Sequence, residues 1–214
     1  MLPVEHIIFD LDDTLCDYSG ARVRALGACY DLLPEGVDRT VYIRKYYEQE
    51  PILFQKFVQG KLSKEEYRVR RFLDPMGESD VSLACQMNDL YMKKANGTVT
   101  LFPGVMALLK ELKDRAIRVS LLTNGPSDGQ HKKIEALGIG AFFDRIYISE
   151  EIGWAKPDPQ AFLTVIEGLE IPLERTLMVG DSLERDIQPA RALGMQILHI
   201  TNCMCVSKLL TNLL

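Results

Sequence analysis

Two aspartates, Asp10 and Asp12, stand two residues apart directly after the apolar run Ile7-Ile8-Phe9. Such a run is typical of a buried β-strand. A carboxylate at the end of a strand can act as a nucleophile, and a second one beside it can transfer a proton. Because acidic turns after strands are common, the pair indicates chemistry only if other segments supply matching groups.

Three later segments supply such groups, each after an apolar run. Thr123 and Asn124 follow one run, Asp181 follows another, and Lys156 comes shortly after a third. In an open parallel sheet the carboxyl ends of the strands lie along one edge, where ligands bind. We therefore expect these side chains to converge on Asp10.

This edge would carry four carboxylates, those of Asp10, Asp12, Asp181 and Asp186. Their mutual repulsion requires compensating positive charge. Mg²⁺ prefers carboxylate oxygens together with water and phosphate, and the Lys156 ammonium could supply a further charge. The pattern thus predicts a Mg²⁺ site. The Thr123 hydroxyl and the amide of Asn124, at the start of the next helix, are donors suited to phosphate oxygens.

The elements that must position these residues alternate regularly from about residue 100. Apolar runs at 119–122, 146–148, 176–179 and 196–200 predict strands, and the segments 104–114, 127–137, 158–169 and 184–193 predict helices. Alternation of this kind indicates βαβ units. With the run at 7–9, we predict an α/β fold with a Rossmann-like, open, parallel sheet of five strands.

The segment 18–98 interrupts this alternation with helical patterns only. We expect helices at 19–33, at 38–59 with a break near Pro51, at 63–73 and at 79–95. Ser63 and Glu66 form the pattern of a capping box. We therefore predict an all-helical cap domain at 18–98 and a catalytic core made of 1–17 and 99–214, since an insertion after the first strand would sit over the ligand crevice.

Two groups of side chains in this insertion are predicted to be structural. The aromatic residues are expected to form the small core of the cap, with stacking on a substrate ring as the alternative; they are Tyr42, Tyr46, Tyr47, Phe54 and Phe57. The arginines are expected on solvated faces; they are Arg22, Arg24, Arg44, Arg68, Arg70 and Arg71.

Composition excludes several classes of protein. The net charge of −5 argues against a partner that is a nucleic-acid polymer. No run of the chain approaches the roughly 20 apolar residues of a membrane span, and its first residues do not resemble a signal peptide, so we expect a cytoplasmic protein. Cys16, Cys29 and Cys85 are scattered, and the odd total of five cysteines argues against a disulfide framework. Cys203-x-Cys205 lacks accompanying metal ligands. The tail at 206–214 could support either a monomer or a homodimer.

At its charged motifs the chain resembles the haloacid dehalogenase-like hydrolase superfamily. The four motifs occur in order as Asp-Leu-Asp-Asp-Thr at 10–14, Leu-Leu-Thr-Asn at 121–124, Lys156, and Gly-Asp-Ser-Leu-Glu-Arg-Asp at 180–186. The helical insertion looks like the first cap type of that family. Each motif is short, but the four occur in the correct order and context, and the resemblance covers the whole chain, including the helical insertion.

This resemblance implies a mechanism and a role for each residue. Asp10 would attack phosphorus, and Asp12 would protonate the leaving oxygen and later deprotonate water. Mg²⁺ would be held by Asp10, the backbone carbonyl of Asp12, and Asp181, with Asp186 acting through water or on Lys156. The transferring phosphoryl group would be held by Thr123, Asn124 and Lys156, while Thr14 would support the turn.

The reading that follows is a Mg²⁺-dependent hydrolase of small phosphorylated metabolites. Residues 148–153 and 155–157 are similar to the 5'-nucleotidase branch, so nucleoside monophosphates are the first expected substrates, followed by phosphoglycolate and sugar phosphates. A phosphomutase and a catalytically silent phospho-ligand binder remain alternatives. A dehalogenase has no use for Asp12, and a signalling receiver carries its phosphoacceptor on the third strand rather than the first.

Overall fold

The structure, a computed structural model, describes residues 3–77, 80–169 and 171–200. The chain divides into two compact units. Gly20–Thr98 form one, which we call the helical unit; the described residues before and after it form the other, the α/β unit. Cys203, Cys205 and the tail at 206–214 lie outside the described residues.

The α/β unit is built on a five-stranded parallel sheet, which confirms the predicted fold class. Its strands lie in the order β3-β2-β1-β4-β5. Their bounds are β1 His6–Phe9, β2 Arg118–Thr123, β3 Arg145–Ile148, β4 Thr176–Gly180 and β5 Gln196–His199. From β1 the chain adds β2 and β3 on one side of the sheet, and then β4 and β5 on the other side. In such a fold the ligand crevice lies at this change of side, between β1 and β4.

The central strand is buried on both of its faces, as expected for a parallel sheet covered by helices. Phe9 is paired with Leu121 of β2 on one side and with Val179 of β4 on the other. On one face, Ile8 and Met178 pack in a cluster with Phe162. This burial fixes the register of the strands, and thereby the height at which the polar residues after them emerge.

Helices connect the strands of the α/β unit. They are α5 Val105–Asp114, α6 Ser127–Leu137, α7 Ser149–Ile152, α8 Pro159–Ile166 and α9 Gln188–Ala192, with 3-10 turns at Gly140–Phe142 and Leu173–Arg175. The helix predicted at 158–169 is therefore shorter than expected. The segment predicted as a helix at 184–193 begins with a π-helical turn, Leu183–Ile187, before α9.

The helical unit contains four helices, and the first of them begins two residues before the unit does. They are α1 Tyr18–Tyr30, α2 Arg39–Val58, α3 Lys64–Leu73 and α4 Val81–Gly97, with a 3-10 turn at Asp74–Met76. The predicted capping box is present, since the Ser63 hydroxyl accepts from the Glu66 N–H and the Glu66 carboxylate accepts from the Ser63 N–H. No helix among the described residues is long and apolar enough to cross a membrane.

The predicted break near Pro51 is wrong, because α2 runs through this residue without interruption. Proline removes one helical hydrogen bond and crowds the carbonyl four residues earlier, which here is that of Tyr47. Buried side chains lie on both sides of the proline, with Tyr46 and Glu50 before it and Leu53 after it. Packing of both halves in the same unit therefore outweighs the local cost.

The side chains of the helical unit only partly follow the prediction. Tyr42 and Tyr46 are buried, as expected for a core, whereas Tyr47 is exposed. Arg71 was expected in solvent but is buried, which corrects the prediction. Its guanidinium lies 4.3 Å from the centre of the Tyr91 ring and donates to Asn88 Oδ1 at 2.8 Å. Aromatic faces and a hydrogen bond thus replace the water that a surface arginine would have.

Because α2 tolerates Pro51 at a cost, Pro51→Ala should stabilise the protein. Alanine restores the missing N–H and its helical hydrogen bond. It also makes the unfolded chain more flexible, which is a smaller, opposing effect. We therefore expect the free energy of unfolding to rise by about 1–2 kcal/mol. Thermal unfolding followed by circular dichroism measures the change. Ile52→Ala, at a neighbouring exposed position, serves as the control and should be nearly neutral. A lower melting temperature for Pro51→Ala would contradict the account of α2.

Candidate active site

The residues after β1 form a tight turn that presents Asp10. The Asp10 N–H donates to the carbonyl of Val179 at 2.9 Å, which continues the pairing of β1 with β4. Asp13 has a φ of 61°, and its carboxylate accepts from the Ser19 N–H at 2.7 Å. The Thr14 hydroxyl donates to Asp10 Oδ2 at 3.1 Å and accepts from the Asp181 N–H at 3.0 Å. The turn thus joins the ends of both strands.

Lys156 lies at the centre of the acidic residues. Its Nζ donates to Asp10 Oδ1 and to Asp186 Oδ1, both at 2.6 Å, and its side chain is only 2% exposed. Burial by itself lowers the pKa of Lys156, but the charges of Asp10 and Asp186 outweigh burial and raise it. The ammonium is therefore charged at neutral pH. It contacts two carboxylates, and its single positive charge offsets one of their two negative charges.

Asn124 fixes the backbone of Lys156. Its side-chain N–H donates to the Lys156 carbonyl at 2.7 Å, and its Oδ1 accepts from the Lys156 N–H at 3.0 Å. Both polar ends of this side chain are therefore engaged. The side-chain nitrogen carries a second N–H, so the expected contact of Asn124 with phosphate stays a prediction.

Thr123 is buried at the end of β2, where its hydroxyl accepts from Gln130 Nε2 at 2.6 Å. A hydroxyl that accepts one hydrogen bond still has its own O–H to donate. Thr123 therefore keeps the donor expected of a phosphate-binding residue.

Three carboxylates could hold a metal ion together. One side-chain oxygen from each of Asp10, Asp181 and Asp186 lies within 4.8 Å of the others. Burial and, to a smaller extent, the charges of Asp10 and Asp186 raise the pKa of Asp181 to about 6. Burial also raises the pKa of Asp186, although Lys156 opposes this. Such a cluster suits a divalent cation, because the cation would relieve the repulsion that the protein leaves in place.

The side chain of Asp12 turns away from this cluster. Both of its oxygens contact the ammonium of Lys133, at 2.6 and 2.5 Å, and Oδ2 accepts from Gln130 Nε2 at 3.3 Å. Only the backbone carbonyl of Asp12 thus remains for the expected metal contact. Burial raises the pKa of Asp12; the charge of Lys133 opposes this, and Asp10 adds a smaller increase.

Lys133 and Gln130 were missed by the sequence analysis. They are three residues apart on α6, so they lie on the same face of that helix, and both are buried. One pattern in the sequence could have indicated their burial: this lysine and this glutamine share a helix face with the apolar residues Ile134 and Leu137.

The family assignment follows from comparison with known proteins. The model of the haloacid dehalogenase-like hydrolases matches residues 4–194. The chain belongs to this family. The crystal structure of the HAD-hydrolase YfnB from Bacillus subtilis, bound to magnesium, is similar with a TM-score of 0.77 and 26% identity, covering 92% of this chain and 89% of that one.

Two relatives carry the names of phosphatases. The N-acylneuraminate-9-phosphatase of Rattus norvegicus is 31% identical, over 90% of this chain and 80% of the relative. The pyrimidine 5'-nucleotidase PynA of Streptococcus pneumoniae is also 31% identical, over 88% of this chain and 80% of the relative. Together with the family match, these relatives assign the chain to the phosphatases of the haloacid dehalogenase type.

A side chain at Gly180 should disrupt the site. A Cβ at this position would lie 2.5 Å from the side-chain atoms of Asp186, which Lys156 holds in place. We expect Gly180→Ala to lower the free energy of unfolding by about 1–3 kcal/mol, the usual cost of overpacking. Chemical denaturation measures it. Gly27→Ala is the control, because a Cβ at Gly27 meets nothing within 4 Å; equal behaviour of the two variants would refute the steric account.

The acidic cluster should destabilise the metal-free protein above pH 6. The pKa of Asp181 rises to about 6 on folding, so its contribution to stability is present below about pH 4 and is lost as the pH rises through 6. Asp181→Asn keeps the shape and removes the charge. In EDTA at pH 7.5 we expect this variant to be more stable by about 1 kcal/mol, after allowance for partial solvation.

The size of this gain should depend on pH. At pH 4, where the wild-type carboxyl is largely protonated in the folded protein, the difference between Asp181→Asn and wild type should shrink toward zero. Denaturant titrations at both pH values test this. A gain that is equal at pH 4 and pH 7.5 would show that charge repulsion is not its cause.

Proposed function

We propose that this protein is a Mg²⁺-dependent phosphomonoester hydrolase that acts on small phosphorylated metabolites through an aspartyl-phosphate on Asp10. The observation that carries the proposal is the buried contact of Lys156 with Asp10, beside Asp181 and Asp186. A nucleophilic carboxylate and a cationic environment for a phosphoryl group are the two requirements of this reaction.

In the first step, a carboxylate oxygen of Asp10 forms a bond to phosphorus while the bond from phosphorus to the ester oxygen breaks. Asp12 gives its proton to the departing oxygen. In the second step, water attacks the phosphorus of the aspartyl-phosphate, Asp12 accepts a proton from that water, and inorganic phosphate leaves. The carboxylate of Asp10 is thereby restored. The raised pKa of Asp12 supports its role as an acid near neutral pH.

Lys156 and Thr123 are proposed to hold the phosphoryl group. The Lys156 ammonium already contacts the attacking carboxylate and would neutralise charge on the phosphoryl oxygens. The free O–H of Thr123 would donate to the same group. Thr14, which bridges Asp10 and the backbone of Asp181, would keep the nucleophile in position.

The donor set fits Mg²⁺. Three converging carboxylates, one with its pKa raised to about 6, are a donor set that a hard divalent cation would stabilise. Asp10, Asp181 and the carbonyl of Asp12 would hold it, with Asp186 acting through water while it pairs with Lys156. The ion would supply positive charge to offset that of the phosphoryl group. The magnesium-bound YfnB structure supports this choice of metal.

Nucleoside monophosphates are the first proposed substrates. The similarity of residues 148–153 to the nucleotidase branch supports them, and a relative at 31% identity is named a pyrimidine 5'-nucleotidase. Another relative at the same identity is named for a phosphorylated sugar acid, so sugar phosphates belong in the same test. All of these are small phosphate monoesters.

Phosphate release from a panel of nucleotides, sugar phosphates and phosphoglycolate, with Mg²⁺ and with EDTA, tests this function. Asp10→Asn should abolish release, a loss of at least about a thousandfold, because an amide cannot form the intermediate. Asp114→Asn, at an exposed position of α5, is the matched control and should retain full activity. Turnover in EDTA, or activity of Asp10→Asn, would contradict the mechanism.

A further inference from the structure

Two side chains of α6 hold the carboxylate of Asp12 in one orientation. These are Gln130 and Lys133, which lie on the buried face of that helix. Lys133 is 121 residues away from Asp12 in the chain, so this contact is made only by the fold.

Lys133 holds both oxygens of Asp12. Its Nζ lies 2.6 Å from Oδ1 and 2.5 Å from Oδ2, and only 5% of its side chain is exposed. The ring of Tyr18 covers the ammonium, with its centre 3.9 Å from Nζ. A cation enclosed by a carboxylate and an aromatic face has little freedom to move. The two short contacts therefore restrict rotation of the Asp12 carboxylate about its side-chain bonds.

Gln130 joins Asp12 to the residues proposed to hold the phosphoryl group. Its Nε2 lies 3.3 Å from Asp12 Oδ2, 2.6 Å from the Thr123 hydroxyl and 2.9 Å from the carbonyl of Asn124. The acid and the end of β2 thus share one donor. A shift of Gln130 would therefore disturb its contacts with Asp12 and with Thr123 together.

We propose that Lys133, assisted by Gln130, is a positioning residue that aims Asp12 at the leaving oxygen. This inference rests on the proposed function. Proton transfer requires the acid to lie within hydrogen-bond reach of the departing atom, and small displacements are costly. The contact of the buried Lys133 ammonium with both oxygens would keep the Asp12 carboxylate within reach of the leaving oxygen.

The test uses two phosphate monoesters that differ in their need for an acid. 4-Nitrophenolate leaves without a proton, whereas an alkoxide must be protonated. For Lys133→Met we expect the single-turnover rate with an alkyl phosphate to fall about a hundredfold, within the usual contribution of an acid. With 4-nitrophenyl phosphate it should fall less than about fivefold. Rapid-quench measurements at saturating Mg²⁺ give both rates.

Matched variants separate positioning from folding. Lys132→Met removes the exposed neighbour of Lys133 and should behave as wild type with both substrates. Lys133→Arg keeps the charge and two donors, and it should recover part of the lost rate with the alkyl phosphate. If Lys133→Met does not fold, Lys133→Gln takes its place, because it keeps a polar side chain without the charge. We then expect the same preference for the nitrophenyl substrate and a smaller loss, about tenfold.

The outcomes are distinguishable. Equal losses on both substrates, or no loss on either, would overturn the positioning role while leaving the proposed hydrolase intact. Absence of turnover by the wild-type enzyme on every substrate, with Mg²⁺ present, would instead defeat the proposed function itself. A selective loss on the alkyl phosphate, reversed in part by arginine, would support the assignment of Lys133.

Discussion

The structure of the site depends on one electrostatic constraint, the crowding of carboxylates between the ends of β1 and β4. Asp10, Asp181 and Asp186 approach one another there, and the buried Lys156 contacts two of them. A buried ammonium is tolerated because its partners are charged and close. The remaining excess of negative charge would be offset by a bound cation, and without one it lowers the stability of the fold.

The surrounding elements can be understood as supports for this arrangement. Asn124 holds the backbone of Lys156, Thr14 joins the two strand ends, and the absence of a side chain at Gly180 leaves room for Asp186. The π-helical turn after β4 brings Asp186 back toward the sheet, where Oδ2 accepts from the Ser182 N–H. π-helical turns are often found at functional positions, which agrees with its location.

Most of the sheet and most of the acidic site could be predicted, because both depend on local patterns. Asp10, Thr123 and Asp181 each follow an apolar strand, and parallel strands carry such residues to the same edge. The roles of Lys133 and Arg71 could not be predicted in this way. In the sequence each has the pattern of a solvated residue on an amphipathic helix, and only the fold reveals its distant partner, Asp12 or Tyr91.

Pro51 shows the same limit for local structure. Its effect on the backbone is a rule about neighbouring residues, and that rule predicts a break in the helix. The observed continuity depends on packing by Tyr46 and Leu53 on either side. For Pro51, Lys133 and Arg71 alike, tertiary contacts determine the observed structure, and sequence spacing does not reveal those contacts.

The contact between Lys133 and Asp12 also constrains how this sequence can diverge. A buried lysine without its carboxylate, or the carboxylate without its lysine, would leave a charge that lacks its oppositely charged partner. Neither residue can therefore be exchanged alone for an apolar one without a large penalty. Descendants that abandoned the acid would be expected to lose the lysine as well, so positions 12 and 133 should change together during evolution.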